Sequence, residues 1–335
     1  MRFIILTVTL LLLFVMNLYF GSVAISAADV TDILLGHDGD YGAARFIVTG
    51  SRLPQAVTAL LAGAGLAVSG LMLQTAFRNP LAGPSILGIN SGASLGVAIV
   101  MLFLGGTISA GGYSVGGYVA VMAAAFAGSM LIMGLLLLFS SWLKNDLMLL
   151  ITGIMVGYMT SSVISLLNYM SSADGVQSYV MWGMGNFNGV SLSRLPLFAL
   201  ITLAGIVMAL LLIKPLNIIL LGSNYARNLG ISMRRVRNLL LLATGLLTAV
   251  ITAYCGPISF IGLAVPHIAR LLFRTDNHRV LMPATLISGA IVALGCNLVC
   301  VLPESTILPI NAVTPFVGAP VILYVIPVSY THLTL

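Results

Sequence analysis

The side chains able to carry chemistry in this 335-residue chain are few and scattered. Cys255, Cys296 and Cys300 are its only cysteines, and Cys296 and Cys300 stand i,i+4 on one helix face, a spacing that a metal or redox pair would use. An odd count without framework spacing argues against a disulfide scaffold. All three lie in or beside apolar segments, where a free cysteine behaves as a small hydrophobe, so packing is the reading their surroundings favour. His267 stands alone in an apolar stretch and His278 in a polar loop, so neither joins the cluster of His, Cys or carboxylate that a metal centre needs. No nucleophile–base pair is evident and no catalytic residue is assigned. Lys144 and Lys214 are the only lysines, and neither follows a glycine-rich loop, so the chain has no G-x-x-x-x-G-K-[ST] to cradle ATP phosphates. No metal or cofactor is expected on the chain itself. If it moves a solute uphill, the energy comes from another chain.

The pattern that stands out is not catalytic. Arg78-Asn79-Pro80-Leu81-Ala82-Gly83-Pro84 is a short polar hinge between apolar segments, and Arg78 is the only charge between Leu53 and Leu143. Two prolines stiffen it and one glycine permits a tight turn. A polar loop between membrane-length segments lies at a water interface, and a stiff one suits a fixed constriction better than a floppy connector.

The elements that position this hinge follow from composition. The chain is 59% hydrophobic and 7% charged, with a mean hydropathy of +1.12, against about 25% charged for a soluble domain. Its solvent is a bilayer. A hydrocarbon core of about 30 Å takes about 20 apolar residues per helix, which predicts about ten spans here. They are Phe3–Ile25, Leu53–Phe77, two within Asn79–Leu143 separated by a Gly-rich turn, Leu147–Ala173, Leu195–Ile213, two within Asn238–Ala269, Val280–Pro303, and one from Leu308 to about Pro327. Gly256-Pro257 splits the Asn238–Ala269 window, so one helix ends near Tyr254 and the next starts at Pro257. The fold class is therefore all-α, a polytopic membrane protein. The N-terminal apolar run is too long for a usual signal-peptide core and is read as a span. With no linker-like stretch, residues 1–335 are read as one domain, with residues 327–335 an atypical tail.

Placing the N-terminus in the cytoplasm puts Arg2, Arg78, Lys144, Lys214, Arg227, Arg234, Arg235, Arg237, Arg270, Arg274 and Arg279 inside, against Arg45, Arg52 and Arg194 outside. That is the bias the positive-inside rule requires. The net charge of +6 is thus a topology signal, and no aromatic-interleaved basic patch supports nucleic-acid binding. No Asp or Glu falls inside an assigned span. Ion-coupled carriers usually place an ionisable residue at membrane depth, so a secondary transporter of a small solute is the alternative rather than the main reading.

The hinge, together with CGPISFIGLAVPHIARLL (Cys255–Leu272) and TPFVGAPVILYVI (Thr314–Ile326), resembles the FecCD family, the permease subunits of type II ABC importers for iron–siderophore complexes, haem and vitamin B12. The similarity runs from about Ser51 to Tyr324. It implies a type II importer permease fold in the bacterial inner membrane and a homodimer with the substrate path along its two-fold axis. It also implies two ATPase subunits, binding ATP and Mg, on the cytoplasmic face and a periplasmic binding protein that delivers substrate.

Residue by residue, the resemblance places Asn79, Pro80 and Leu81 at the cytoplasmic gate. The loop Lys144–Leu147, with Asn145 and Asp146, forms the other half of that gate. Some relatives carry small hydroxyl residues where this chain has Lys-Asn-Asp-Leu. The stretch Leu221–Val236 becomes the ATPase coupling segment, a helix of under two turns from an N-cap at Ser223 to a C′ residue at Gly230. Tyr225, Ala226, Leu229 and Ile231 would give it apolar contact and Arg227 a charge. Such a helix is too short to be stable without a partner surface. Gly256, Pro257, Gly262, Pro266 and His267 form a structural motif. Gly262 allows close helix packing, and His267 is read as a neutral imidazole bonded to a backbone group freed by Pro266. Arg52 matches an outer-face docking arginine. Gln55 stands where a second is expected, another would fall near Cys300, and an acid common in relatives is replaced around Cys296-Asn297. Other residues such as Arg45 are available for docking. The substrate is not legible.

Overall fold

The computed structural model describes residues 1–335 apart from 38, 40, 105–108, 111, 112, 115, 116, 144, 145, 223–227, 229, 231, 304, 305 and 332–335, and describes no side chain at 109, 110, 113, 114, 146 or 325–331. Lipid offers a peptide group no hydrogen-bond partner, so a crossing segment must satisfy its own backbone. This chain does so with helices. In order they are α1 (Arg2–Tyr19), α2 (Ala27–Leu35), α3 (Gly42–Phe46), α4 (Leu53–Phe77), α5 (Ile89–Ala98), α6 (Gly117–Trp142), α7 (Asp146–Met170), α8 (Ala173–Gly183), α9 (Leu195–Leu211), α10 (Ile213–Leu220), α11 (Met233–Cys255), α12 (Ile261–Phe273), α13 (His278–Val301) and α14 (Ile310–Thr331). A π-helical turn, Ile47–Arg52, fuses α3 to α4, and another, Ile99–Phe103, extends α5. Among the described residues six helical stretches are long and apolar enough to cross a membrane, and α9 with α10, bent by 45°, makes a seventh if the pair is one span. Ile89–Phe103, Ile261–Phe273 and Ile310–Tyr324 are shorter apolar helices. With them the apolar units follow one another in the order expected.

Helix α4 is the axis of the bundle. Almost all of it is buried, and α13, α12, α11 and α9 pack around it. Small residues let them approach. A Cβ on Gly63 would lie 2.3 Å from the Gly289 carbonyl oxygen, and a Cβ on Gly289 would lie 2.4 Å from that of Gly63. The α4 and α13 backbones thus touch, the arrangement that replaces hydrophobic drive when the solvent is itself apolar. Helix α6 packs on α5 and α11. Helix α7 lies at the edge and leaves Met148, Ile151, Met155, Tyr158, Met159 and Leu166 exposed.

Arg52 departs from the reading made of it. It is buried, at 4% exposure. Its guanidinium donates to the carbonyls of Leu18 (3.0 Å), Tyr19 (2.7 Å) and Val23. Leu18 and Tyr19 close α1, whose last carbonyls have no intrahelical partner, and a cation there also complements the helix dipole. Gly21 leaves room for the guanidinium, since a Cβ would lie 2.8 Å from Nε. Arg52 is therefore the C-cap of α1 rather than a docking charge. For the same reason α1 stops at Tyr19 and not at Ile25.

Gln55 and Asn297, at and near the positions where the family pattern led one to expect charges, face each other. Gln55 Nε2 donates to Asn297 Oδ1 at 2.9 Å, Asn297 Nδ2 to Asn17 Oδ1 at 2.7 Å, and Asn17 Nδ2 to the Leu13 and Leu294 carbonyls. This buried chain of amides ties α1, α4 and α13 together with every step neutral.

Two other boundaries differ, and two short helices are added. Helix α12 begins at Ile261 and not at Pro257, because Asn311 of α14 takes the backbone between. Its Nδ2 donates to the Gly183 carbonyl at 3.0 Å and to the Pro257 carbonyl, and its Oδ1 accepts from Ser259 N at 3.0 Å. Helices α2 and α8 are additions whose signals were present in Ser26 and Ser172, each an N-cap accepting from the backbone N–H three residues on. Helix α14 continues past Pro327 to Thr331.

Gly63→Leu is expected to abolish folded protein, and Gly63→Ala to cost about 1 to 3 kcal/mol through overpacking. Gly134→Ala is the control, because a Cβ there meets nothing within 4 Å. Thermal unfolding in detergent reads both. Arg52→Ala is expected to cost about 3 kcal/mol by the same measurement, because it orphans carbonyls at the end of α1.

Candidate functional site

The hinge is built turn by turn from its own sequence. Helix α4 ends at Arg78 in the left-handed region, φ 47° and ψ 38°. Arg78 N–H donates to Thr75 O (3.4 Å) and Asn79 N–H to Gln74 O (3.2 Å), the pair of bonds that defines a Schellman cap. Asn79 Oδ1 then accepts from Leu81 N at 2.9 Å and Asn79 O from Ala82 N at 3.0 Å. This Asx turn and β-turn have Pro80 at the position where φ near −65° is required. A second turn follows, Ile86 N to Gly83 O at 3.0 Å, with Pro84 in the same role. Pro80 and Leu81 are left exposed at the tip, while Ala82, Gly83 and Pro84 are buried. The Asn79 carboxamide shapes its own loop, and the apolar lip is Pro80 and Leu81.

Neighbouring helices clamp this loop and the end of α4 that carries it. His267 of α12, 5% exposed, lies with Nε2 2.9 Å from the Pro80 carbonyl. A carbonyl can only accept, so Nε2 carries a proton. The expectation of a backbone partner holds, but the partner is in the hinge and not the group freed by Pro266. That freed group, the Gly262 carbonyl, turns against Gly70, where a Cβ would lie 1.5 Å away. Gly262 also admits Pro84, whose Cδ would be 2.9 Å from an added Cβ. Gln74 Nε2 donates to the Leu263 carbonyl (3.0 Å), and its Oε1 accepts from Arg270 Nη1 (2.7 Å), while Arg270 Nε lies 3.4 Å from Asp276 Oδ1. Finally, Arg78 Nη2 donates to the Ile219 carbonyl of α10 at 3.1 Å.

His278 is not in a solvated loop. It is the first residue of α13, 1% exposed, with Nε2 2.9 Å from Thr75 Oγ1 and Nδ1 3.0 Å from Asn217 Oδ1. Asn217 Nδ2 donates to Asn277 Oδ1, the N-cap of α13. The ends of α4, α10, α12 and α13 thus form one polar layer around the hinge. Gln74, Arg270 and Asn217 were not singled out from sequence. Their signal was polarity at the very ends of apolar runs.

Of the other half of the gate, Asn145 lies outside the described residues, and Asp146 opens α7 without a described side chain. Ser223, Tyr225, Ala226, Arg227 and Leu229 also lie outside them. Gly230 has φ 77°, the left-handed conformation a C′ residue takes. Gly256 has φ 77° as well. At the opposite end of the bundle a cavity of about 610 Å³ is lined in part by Tyr118, Ser172, Asp174, Ser178 and Trp182. The Arg194 guanidinium sits 4.3 Å above the Tyr118 ring, and the Tyr118 hydroxyl donates to the Gly189 carbonyl. Among the described residues no group of three or more His, Cys, Asp or Glu could hold a metal, and no Asp or Glu is buried.

His267→Ala removes the donor to the Pro80 carbonyl and is expected to cost about 1 to 3 kcal/mol. It should also make the hinge more sensitive to limited proteolysis in detergent. His267→Gln, which keeps a side-chain N–H, should recover part of both.

Comparison with known proteins agrees with this geometry. The FecCD transport family matches residues 9–327, ending where the atypical tail begins. The vitamin B12 import system permease protein BtuC of Klebsiella pneumoniae subsp. pneumoniae is 37% identical over 276 residues, 82% of this chain and 80% of that protein. BtuC of Salmonella paratyphi A is 37% identical over 292 residues, 86% of each chain. A solved structure described as an inward-facing conformation of a metal-chelate type ABC transporter superposes with a TM-score of 0.82 at 30% identity, covering 95% of this chain and 96% of that one. PsaBC from Streptococcus pneumoniae, at 13% identity and a TM-score of 0.51, shares the fold alone. A multi-pass helical bundle with a clamped hinge, matched along nearly its whole length, is an ABC importer permease, and the chain belongs to the FecCD transport family.

Proposed function

We propose that the chain is one of two identical translocation subunits of an importer for a metal chelate of the cobalamin, ferric siderophore or haem class. The relatives' own names, vitamin B12 import and metal-chelate transport, point to that class. The permease lies in the bacterial inner membrane with its N-terminus in the cytoplasm, as the lysine and arginine distribution favours. The hinge then lies on the cytoplasmic side, and the cavity beside Asp174 opens on the periplasmic side, where a binding protein delivers substrate. Arg52 is spent on α1, so docking falls to exposed residues such as Arg45.

The observation that carries the reading is the hinge. Pro80 and Leu81 form an apolar lip held by His267 at the Pro80 carbonyl and by Arg78 at the Ile219 carbonyl, on an α4 end that Gln74 ties to α12, which suits a gate that moves as a block with its helices. In the proposal Asn145 and Asp146 form the facing lip. The segment with Ser223, Tyr225, Ala226, Arg227, Leu229 and Gly230 seats in a groove of each ATPase subunit. ATP and its Mg are bound by those subunits, and this chain contributes no chemistry. The exposed stripe of α7, from Met148 to Leu166, offers apolar surface for the second copy. Among the described residues no Asp or Glu is buried, and an ion-coupled carrier would usually place one at membrane depth.

The test is uptake into vesicles reconstituted with the matching ATPase and binding protein, offered labelled cobalamin, ferric siderophore and haem in turn. ATP-dependent accumulation of one of the three is expected. Uptake that continues without the ATPase and collapses with the ion gradient would establish the secondary carrier instead. Replacing Arg227 and Leu229 together is expected to weaken ATPase association, read by co-purification.

A further inference from the structure

We propose that Arg78 is the positioning residue that ties the coupling segment to the gate. This rests on the importer reading above. Arg78 is a poor choice for its backbone position, because a side chain at the left-handed C′ site of a helix is strained and glycine is the usual occupant. It is also exposed, so a single hydrogen bond to it adds little to stability. A reason for arginine has to come from what its side chain reaches.

It reaches the root of the coupling segment. Arg78 Nη2 donates to the Ile219 carbonyl at 3.1 Å, and the same oxygen accepts from Gly222 N at 3.1 Å. Ile219 lies in the last turn of α10, and the Gly222 turn leads directly into 223–231. The oxygen has two lone pairs, one for each donor. One carbonyl therefore joins the turn that launches the coupling segment to the side chain of the residue that launches the gate lip.

The other half of the link is covalent. Asn79, Pro80 and Leu81 follow Arg78 directly and are locked by the Schellman cap and the Asx turn. No soft torsion of a free loop intervenes between the Arg78 backbone and the lip. A shift of the end of α10 is passed to Arg78 through its guanidinium and to Leu81 through rigid turns. The bond is a coupling device whose loss leaves the fold intact.

Arg78→Gly separates the two roles, because glycine suits the backbone position while removing the guanidinium. The unfolding temperature in detergent is expected to stay constant or rise. Substrate taken up per ATP hydrolysed, in vesicles with the partner subunits, is expected to fall about tenfold. Arg78→Lys keeps a cationic donor and should recover part of the coupling. A glycine variant with the wild-type uptake per ATP would overturn the inference while leaving the importer reading in place. A wild-type complex with no ATP-driven uptake would instead remove the importer reading itself.

Discussion

A peptide group in hydrocarbon has nowhere to place its hydrogen bonds except within its own chain, and this constraint organises the structure. Inside a helix it is met automatically. At a stop, break or bend a tight turn or a side chain must meet it, and in this chain polar side chains serve several of those places. Arg52 closes α1, Asn311 supports the non-helical Gly256–Phe260 stretch, and Asn277 opens α13. At the hinge, Gln74, Arg78 and His267 do the same work together.

The hinge is therefore rigid for a general reason with a specific result. A loop at the membrane interface that buries part of its backbone must be bonded to its surroundings, and the available partners lie at the end of α10 and in the middle of α12. Satisfying the backbone thus also joins the loop mechanically to two helices. Pro266 contributes indirectly. By freeing the Gly262 carbonyl it breaks the regularity of α12, and Gly70 absorbs the displaced oxygen at a distance no side chain would allow. Close α4–α12 packing and the His267–Pro80 bond are parts of one arrangement.

Charge is handled with the same economy. The amide chain Gln55–Asn297–Asn17 does with neutral groups what an arginine and an acid would do with ions. Desolvating a matched pair of charges is expensive, and their mutual attraction need not repay it. Neutral amides avoid that cost and still fix the relative position of α1, α4 and α13.

Much was legible in the sequence because the relevant signals are local. Span order, the hinge and its turn residues, and the left-handed conformation at Gly230 all follow from hydropathy, proline and glycine. Helices α2 and α8 were not anticipated, although Ser26 and Ser172 stand as their N-caps, because each is too short to register as a span. What a given polar side chain touches was not legible. Arg52 looked like a surface charge because it sits at the end of an apolar run, yet α1 folds back to cover it. A backbone partner for His267 follows from its isolation in an apolar run, but that partner, Pro80, is remote in sequence. Sequence alone thus determined where the chain must be helical and where it must turn, since those depend on neighbouring residues and on the solvent. Only the tertiary structure decided which carbonyl each buried donor meets, because that depends on which helix ends packing brings together.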